Sequence, residues 1–351
     1  MADPILIYGA YGYTGELIAR FAKEQGIAPI LAGRSGRKLL PLAEELGFEH
    51  RVFQLDDPHI IRRNIGDVKA VVHCAGPFLH TFEAVSQACM DEGVHYLDIT
   101  GEAAVFEALA ARHHLAQEAG IALLPGAGFD VVPTDCMAAY LAQRLPSATH
   151  LALAIYTRGG ISRGTGYTMV ENLHRGGLVR RDGKLTPVPT AYRQRDIDFG
   201  RGDRTCLTIP WGDVSTAYHS TGIPNIEVYA AMGSKQRLAA KLTRWFRPLM
   251  GTSIVQGYLL GKVRTGPAGP TDEQRTRGSA HVWGEARDEE GNIVSARLHT
   301  AEGYTLTALT ALEAARRFVE TPPEPGFYTP SKAFGADFIL DFEDSRREDL
   351  D

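Results

Sequence analysis

The chain has 351 residues, enough for two domains, and its 44% hydrophobic content supports well-filled cores. The net charge of −5 argues against nucleic acid as the main partner, and no apolar run approaches the roughly 20 residues of a transmembrane helix. The sequence shows no secretory signal, and its four cysteines have neither a disulfide pattern nor metal-ligand spacing. We therefore expect a cytoplasmic protein without a metal site.

The first predicted unit is a strand, a glycine-rich turn and a helix. The apolar run 4–8 leads into three glycines spaced three apart, and an amphipathic helical pattern follows. Glycines let backbone N–H groups approach a phosphate, and the positive end of the helix attracts the anion. This order is typical of dinucleotide binding, although a plain strand-to-helix turn is the alternative. The predicted contacts are Gly9, Ala10, Tyr11, Gly12, Tyr13, Thr14 and Gly15.

The end of the second predicted strand indicates which dinucleotide is bound. The strand over 27–33 runs into the basic sequence RSGRK, where NAD-binding units place an Asp or Glu for the ribose hydroxyls. A guanidinium can bind a 2′-phosphate through two hydrogen bonds, whereas a carboxylate would repel it. We therefore expect NADP(H), with Arg34 and Ser35 on the phosphate and Arg37 or Lys38 assisting. A solvated basic turn is the alternative.

The rest of the first third alternates between strands and helices. Further strands are predicted over 50–55, 70–75, 96–99 and 121–124, with helices over 37–46, 57–65, 82–92 and 105–119. Such alternation predicts an α/β fold with a Rossmann-type, doubly wound parallel sheet. Ligands bind these sheets beyond the carboxyl ends of the strands, so we expect the Gly-rich strand ends to line one cleft.

The second half has a different pattern. Alternating stretches over 151–156, 225–231, 280–286 and 294–299 predict a second α/β domain with a mixed sheet. An amphipathic helix follows over 303–320, then a proline-rich break and a charged tail over 343–351 that we expect to be mobile. The predicted domains are 1–130 for NADP, 131–300 for substrate and oligomerisation, and 301–351 as a C-terminal helix and tail. A homodimer is expected.

Several motifs together resemble the short saccharopine dehydrogenase-like oxidoreductases, a group that includes the mycobacterial trans-acting enoyl reductases. The motifs are GAYGYTG at 9–15, CAGPF at 74–78, YLDITGE at 96–102, PGAGFDVVPTD at 125–135 and GGISRGT at 159–165, with looser matches at 266–270 and 327–330. The resemblance implies an NADP-binding Rossmann domain, a second α/β domain, redox chemistry, and a C-terminal segment that packs back onto the Rossmann domain. It implies no particular substrate.

Candidate catalytic residues lie at the ends of the predicted strands. Ala75, Gly76, Pro77 and Phe78 follow the fourth strand and are expected to border the cofactor's ribose and nicotinamide. Candidates for the proton donor or for orienting groups are Asp98, Glu102, Asp130 and, in the glycine-rich loop of the second domain, Thr165. Helix capping is the alternative role for the three carboxylates.

The segment 235–264 is a basic amphipathic stretch without acidic residues. Its apolar face carries Trp245 and Phe246, and Pro248 is expected to kink or end the helix. The pattern fits a membrane surface, an acidic acyl carrier or a lid over an acyl chain. The alternative is a helix packed on its own domain or on a dimer partner.

These patterns predict an NADPH-dependent reductase of a C=C bond in an enoyl-type, apolar or acyl substrate. The first alternative is reduction of a C=N bond in an imine, as in saccharopine-like chemistry. The second is a non-catalytic NADP-binding protein that associates with a membrane or a partner.

Overall fold

The computed structural model describes residues 4–350, except for the side chains at 241 and 243–248. The chain divides into two compact units. The first contains the residues up to Val132 together with Tyr304–Ala333, and the second contains Pro133–Gly303 together with the residues from Phe334 onward. The expected C-terminal segment 301–351 therefore contributes residues to both units.

The elements alternate regularly in the first third of the chain and less regularly afterwards. The strands are β1 (Ile5–Tyr8), β2 (Ile30–Gly33), β3 (His50–Val52), β4 (Ala70–His73), β5 (His95–Asp98), β6 (Ala122–Leu124), β7 (His150–Arg158), β8 (Gly177–Arg181), β9 (Lys184–Val188), β10 (Gln194–Asp198), β11 (Asp203–Thr208), β12 (Asn225–Ala231), β13 (Ser279–Arg287), β14 (Ile293–Thr300), β15 (Gly326–Phe327) and β16 (Arg346–Asp349). The helices are α1 (Tyr13–Glu24), α2 (Gly36–Leu46), α3 (Pro58–Ile65), α4 (Phe82–Glu92), α5 (Ala103–Ala110), α6 (His113–Glu118), α7 (Val132–Arg144), α8 (Arg163–Asn172), α9 (Asp213–Thr221), α10 (Ser234–Met250), α11 (Ser253–Thr265), α12 (Asp272–Arg277), α13 (Gly303–Glu320) and α14 (Pro330–Phe334).

The first unit is built on a parallel sheet with strand order β15-β6-β5-β4-β1-β2-β3. Strand β1 lies inside this sheet, between β4 and β2, and is buried, with Leu6 and Ile7 having no exposed surface. Strand order reverses at β1, since the chain moves to one side through β2 and β3 and to the other from β4. This confirms the predicted doubly wound parallel sheet. The glycine turn follows β1, the strand at which ligands bind such sheets.

One predicted helix of the first unit is divided. The stretch 105–119, expected to be continuous, forms α5 and α6 with a break at Ala111 and Arg112. The guanidinium of Arg112 donates to Ser86 Oγ at 3.2 Å and lies over the ring of Phe82. These contacts join residues far apart in the sequence, and helical periodicity alone could not reveal them.

The second unit is built on a mixed sheet, as predicted, with main strand order β10-β11-β12-β7-β13-β14-β16. Strands β12 and β7 are parallel, and the other pairs along this path are antiparallel. The sheet is strongly curved, because Arg195 of β10 donates to the carboxylate of Glu285 on β13 although three strands lie between them. Phe199 and Trp283 belong to the apolar cluster on this curved face.

The expectation of a mobile tail is wrong for the residues of β16, which form an edge strand on β14. The guanidinium of Arg347 lies 3.4 Å from the ring centre of Tyr140 and donates to Asp337. The Tyr140 hydroxyl donates to Asp349 at 2.8 Å. The charged residues of this tail therefore have partners within the second unit, which composition alone did not indicate.

The helix that contains Pro248 also differs from expectation. It continues past the proline to Met250, and the next helix, α11, begins at Ser253. The segment therefore forms two helices, and the break between them lies at Gly251 and Thr252, not at Pro248.

Among the described residues, no helix is long and apolar enough to cross a membrane. The same residues contain no group of three His, Cys, Asp or Glu side chains arranged as metal ligands.

Candidate active site

The glycine turn after β1 is closely packed on both sides. Gly9 has a φ of +83°, and a Cβ there would lie 3.0 Å from the backbone nitrogen of Ala75 in the loop after β4. A Cβ on Gly15 would lie only 2.5 Å from the carbonyl oxygen of Gly9. The N–H groups of Gly9 and Ala10 donate to the carbonyl of Ala32 at 2.8 and 3.1 Å. Only glycine fits at positions 9 and 15, which brings the start of α1 directly against the turn.

The amino end of α1 is suited to an anion. Its N-cap is Gly12, so no N-cap side chain accepts a hydrogen bond from the first turn of the helix. The helix contains twelve residues, and its positive end lies at the turn. The first residue, Tyr13, packs edge-on against Tyr304 at a ring distance of 5.0 Å. Tyr304, in the first turn of the long helix α13, belongs to the same unit and was not among the predicted residues.

The end of β2 carries the predicted 2′-phosphate group contacts. Arg34 is exposed, and no described carboxylate forms an ion pair with it. Ser35 is the N-cap of α2, and its hydroxyl makes no capping hydrogen bond. The Lys38 ammonium lies 5.7 Å from the ring centre of Tyr11, whose ring covers Gly33. The available guanidinium, hydroxyl and ammonium fit a phosphate ester bound beside the glycine turn.

A carboxylate holds the loop after β4. Glu102 Oε1 accepts from the N–H of Phe78 at 2.9 Å, and Oε2 accepts from the N–H of Leu79 at 3.1 Å. The loop contains the cis peptide Gly76–Pro77 and continues into a short 3-10 helix over Phe78–His80. This geometry favours a positioning role for Glu102, because both of its oxygens are directed at backbone groups of the loop.

His73, at the end of β4, was missed by the sequence reasoning. It is fully buried, its Nε2 is 2.8 Å from Thr81 Oγ1, and burial lowers its pKa to about 3. The Thr81 hydroxyl donates to the carbonyl of Ala75 at 2.8 Å, and the imidazole packs edge-on against Phe78. The neutral imidazole of His73 therefore packs against Phe78 and Thr81 of the loop that follows β4. Its position directly before CAGPF was the available signal.

Asp98 connects the ends of β5 and β6. Its Oδ1 accepts from the N–H groups of Thr100 and Gly126, both at 2.9 Å, and its Oδ2 accepts from the Tyr96 hydroxyl at 2.7 Å. Burial raises its pKa to about 6, while these hydrogen bonds favour the ionised form. With no exposed surface and three donors already bound, Asp98 is placed to fix the loops that follow both strands.

Asp130 lies in the loop after β6 and keeps part of its surface exposed. Burial raises its pKa to about 6. A Cβ on Gly101 would lie 2.9 Å from Asp130 Oδ2, so the carboxyl reaches the loop after β5. Among the predicted carboxylates of the first unit, Asp130 combines a raised pKa with solvent access, as a proton donor requires.

Thr165 belongs to the second unit, whereas the three carboxylate candidates belong to the first. Its backbone N–H donates to Ser162 Oγ at 3.2 Å, and the two hydroxyl oxygens are also 3.2 Å apart. Ser162 is the N-cap of α8. Thr165 therefore takes part in capping this helix.

The basic amphipathic segment presents several apolar side chains to solvent. Ile254 is 84% exposed and Leu238 is 61% exposed, and Leu242, Leu249 and Tyr258 are also exposed. The side chains of Trp245 and Phe246, on which the sequence prediction placed weight, lie outside the described residues.

Comparison with known proteins agrees with this geometry. The family model described as "Saccharopine dehydrogenase NADP binding domain" matches residues 5–124, the stretch from β1 to the end of β6. A saccharopine dehydrogenase-like oxidoreductase of Mus musculus is 29% identical over 151 residues, which cover 37% of this chain and 35% of that protein. A Mycobacterium tuberculosis protein named as a trans-acting enoyl reductase is 31% identical over 183 residues, 48% of this chain and 44% of that protein. The matches thus span under half of these relatives.

A solved structure shares the fold across the whole chain. It is the apo form of saccharopine dehydrogenase (L-Glu forming) from Saccharomyces cerevisiae, with a TM-score of 0.67, 12% identity, and coverage of 99% of this chain and 100% of that chain. The predicted resemblance to the saccharopine dehydrogenase-like oxidoreductases is thereby confirmed, since residues 5–124 match the NADP-binding domain of saccharopine dehydrogenase, and this match indicates NADP(H) as the cofactor.

Proposed function

We propose that this protein is an NADPH-dependent reductase that acts on the C=C bond of an enoyl-type, apolar or acyl substrate. The observation that carries the proposal is a carboxyl with a raised pKa, Asp130, in the same unit as a complete NADP-binding turn. Similarity to a protein named as an enoyl reductase supports C=C over C=N reduction.

In the first unit, some residues are assigned to binding NADPH and others to positioning the loop after β4. The glycine turn and the start of α1 would hold the pyrophosphate, and Arg34, Ser35 and Lys38 would hold the 2′-phosphate. Glu102 fixes the loop that contains Phe78 through two backbone hydrogen bonds, and His73 supports the same loop. NADPH supplies a hydride when it is bound.

Reduction of a C=C bond adds a hydride to one carbon and a proton to the other. We assign the proton to Asp130, since a pKa of about 6 keeps a fraction of the carboxyl protonated near neutral pH. Asp98 and Glu102 act as positioning residues in this scheme, because their oxygens already accept from loop donors. Thr165, whose N–H caps α8 through Ser162, is assigned no proton transfer.

The test is oxidation of NADPH by the purified protein, followed by stopped-flow absorbance across a substrate panel. An enoyl thioester should be reduced, and a keto acid mixed with an amine should not. The opposite result would favour the C=N alternative and overturn the enoyl assignment. Failure to oxidise NADPH with any member of the panel, despite tight binding, would favour a non-catalytic protein.

Asp130→Asn tests the proton donor. We expect kcat to fall about 100-fold, the usual contribution of a general acid, with NADPH affinity unchanged. In the unsubstituted protein, kcat should fall as pH rises above about 6, because the acid becomes deprotonated. Asp91→Asn removes a surface carboxylate from α4 of the same unit and is the control. Equal activity of Asp130→Asn and Asp91→Asn would exclude Asp130 from proton transfer.

A second candidate function is that of an NADP-binding protein at an anionic membrane surface. It is favoured by the exposed apolar side chains of α10 and α11 on a segment that has Lys and Arg but no Asp or Glu. Apolar groups can enter the headgroup region while the cations bind anionic lipid. An acidic acyl carrier is the other partner that this charge would fit.

Co-sedimentation with vesicles of anionic phospholipid tests this candidate. Binding should weaken with salt and be lost in a Leu238→Ser/Ile254→Ser variant, while Leu115→Ser, an exposed leucine on α6, should bind as before. No sedimentation of the unsubstituted protein would eliminate the membrane candidate.

A further inference from the structure

One end of the mixed sheet carries a stack of aromatic and cationic side chains. The guanidinium of Arg204, on β11, lies 4.1 Å from the ring centre of Tyr156, on β7. Tyr156 also stacks on His281, on β13, with ring centres 5.8 Å apart and planes inclined by 21°. His299, on β14, follows at 4.7 Å from His281. Four strands thus contribute one side chain each to a continuous row.

The two histidines of this row are connected to each other and to a hydroxyl. Their Nδ1 atoms are 3.4 Å apart, and His281 Nε2 is 3.4 Å from Ser279 Oγ. His281 is 94% buried, since 6% of its surface is exposed. Burial is the largest cause of the lowered pKa of both imidazoles, and nearby arginines lower each pKa further. The neutral imidazoles therefore lie in a strongly positive environment.

The arginines around the row lack the carboxylate partners that several other described arginines of the second unit have. Arg195, Arg275, Arg297 and Arg347 each pair with a carboxylate. By contrast, the structure gives no ion pair within residues 4–350 to the four that act on the imidazoles, which are Arg158, Arg201, Arg204 and Arg346. The Nε atom of Arg204 is buried and has no hydrogen-bond partner among the described atoms.

A groove lies beside Arg158, one of the arginines that act on the imidazoles. It has a volume of about 610 Å³ and is lined by Arg158, by the glycines at 159, 160 and 278, and by Glu273, Gln274 and Arg277 of α12, of which Glu273 and Arg277 form an ion pair. Arg158 pairs in register with Ser279, two residues before His281 on the same strand. The groove therefore gives solvent access to Arg158, at the end of β7.

We propose that this end of the second unit binds a phosphate monoester, with Arg158, Arg201 and Arg204 as direct ligands and the His281–His299 pair as a neutral hydrogen-bonding wall. We name this feature the arginine–histidine site. It is formed by residues of the second unit, includes none of the predicted NADP-binding residues, and does not depend on the reductase activity.

Charge selects phosphate over the other ligands that these groups could bind. Four arginines lower the pKa of one or both imidazoles, and Asp344 raises that of His299. Of the carboxylates at the groove, Glu273 pairs with Arg277 and Glu302 lies beside Gly159. A phosphate monoester carries close to two negative charges at neutral pH and three acceptor oxygens, whereas a carboxylate carries one charge and two oxygens. A metal ion could meet the two facing Nδ1 atoms, but the surrounding guanidinium groups would repel it.

The test is calorimetric titration of the holoprotein with methyl phosphate, in saturating NADP(H) so that the Arg34 site is already filled. Methyl phosphate should bind, and Arg158→Ala and Arg201→Ala should each weaken it about tenfold or more, the loss expected for a charge-assisted hydrogen bond. Both residues are exposed, so these variants should fold. Arg181→Ala, which removes an exposed arginine from β8, should bind as the unsubstituted protein does.

A local readout comes from the imidazole signals of histidine-labelled protein. A bound phosphate favours the imidazolium, so the pKa of His281 or His299 should rise when methyl phosphate is added, with the signals assigned through His281→Asn and His299→Asn. Equal binding by succinate would replace the phosphate assignment with a carboxylate one. No binding of methyl phosphate, or binding that neither arginine variant weakens, would overturn the arginine–histidine site.

Discussion

The carboxylate of Glu102 holds the backbone of Phe78 across the ends of two neighbouring strands. Phe78 N donates to Oε1 at 2.9 Å, and the adjacent Leu79 N donates to Oε2 at 3.1 Å. Glu102 is itself the N-cap of α5, so the loop after β4 is fixed to the start of the helix after β5. The loop expected to border the nicotinamide therefore depends on a residue 24 positions away in the sequence.

Replacing Glu102 should increase the mobility of this loop, and the increase should be larger when both carboxylate oxygens are lost than when one is lost. Glu102→Gln keeps one oxygen acceptor and Glu102→Ala keeps none, so amide hydrogen exchange at Phe78 and Leu79 should rise by about tenfold for each charge-assisted bond lost. NADPH affinity should fall in the same order. Glu118→Gln, an exposed residue on α6, is the control. Unchanged exchange in Glu102→Ala would show that these bonds do not hold the loop.

Gly15 and Gly36 provide a matched pair of glycines at helix starts. A Cβ on Gly15 would lie 2.5 Å from Gly9 O, whereas one on Gly36 would meet nothing closer than Val52 Cγ2 at 3.6 Å. Gly15→Ala should therefore lower the free energy of unfolding by roughly 1–3 kcal/mol and weaken NADPH binding, because the turn must move. Gly36→Ala should be neutral or stabilise by up to about 1 kcal/mol. Urea unfolding and fluorescence titration measure both effects, and equal effects would contradict the packing argument.

Arg34→Asp should alter the choice of cofactor. A carboxylate at this position would repel the 2′-phosphate and could accept from ribose hydroxyls instead, so NADPH affinity should fall by about 100-fold or more while NADH affinity changes little. Arg63→Asp makes the same charge change at an exposed position on α3 and is the control. If Arg34→Asp weakens the binding of NADPH and NADH equally, Arg34 does not contact the 2′-phosphate.

The features that sequence reasoning predicted well are local ones. The turn from Gly9 to Gly15 and the basic end of β2 can be recognised because backbone conformation, helix start and charge are set within a few neighbouring residues. The side-chain contacts that hold the loop after β4 could not be predicted from neighbouring residues in the sequence. Glu102, His73 and Thr81 meet there only because strands β4 and β5 are adjacent in the folded sheet.

The second unit shows the same limit more strongly. Alternation predicted the mixed sheet, but the edge strand β16 carries mainly charged residues and has no apolar pattern. Its pairing depends on distant partners such as Tyr140, which packs against Arg347. The arginine–histidine site was missed for the same reason, since His281 and His299 become neighbours only through the register of β13 and β14.

Asp98 should make stability depend on pH. Its pKa rises from 3.8 to about 6 in the folded protein, so the folded state holds its proton to a higher pH than the unfolded chain does. The contribution of this group is therefore fully present below about pH 4 and is lost as pH rises through about 6. Two pKa units correspond to roughly 3 kcal/mol.

Asp98→Asn removes this titration while keeping an oxygen for the N–H groups of Thr100 and Gly126, and its amide can donate to the Tyr96 hydroxyl. The free energy of unfolding of the unsubstituted protein, relative to the variant, should therefore fall by roughly 3 kcal/mol between pH 4 and pH 7. Denaturant unfolding at several pH values measures it, with Asp56→Asn as the exposed control. Parallel stability curves for the unsubstituted protein and Asp98→Asn would show that the hydrogen bonds to Asp98 compensate fully for the burial of its charge.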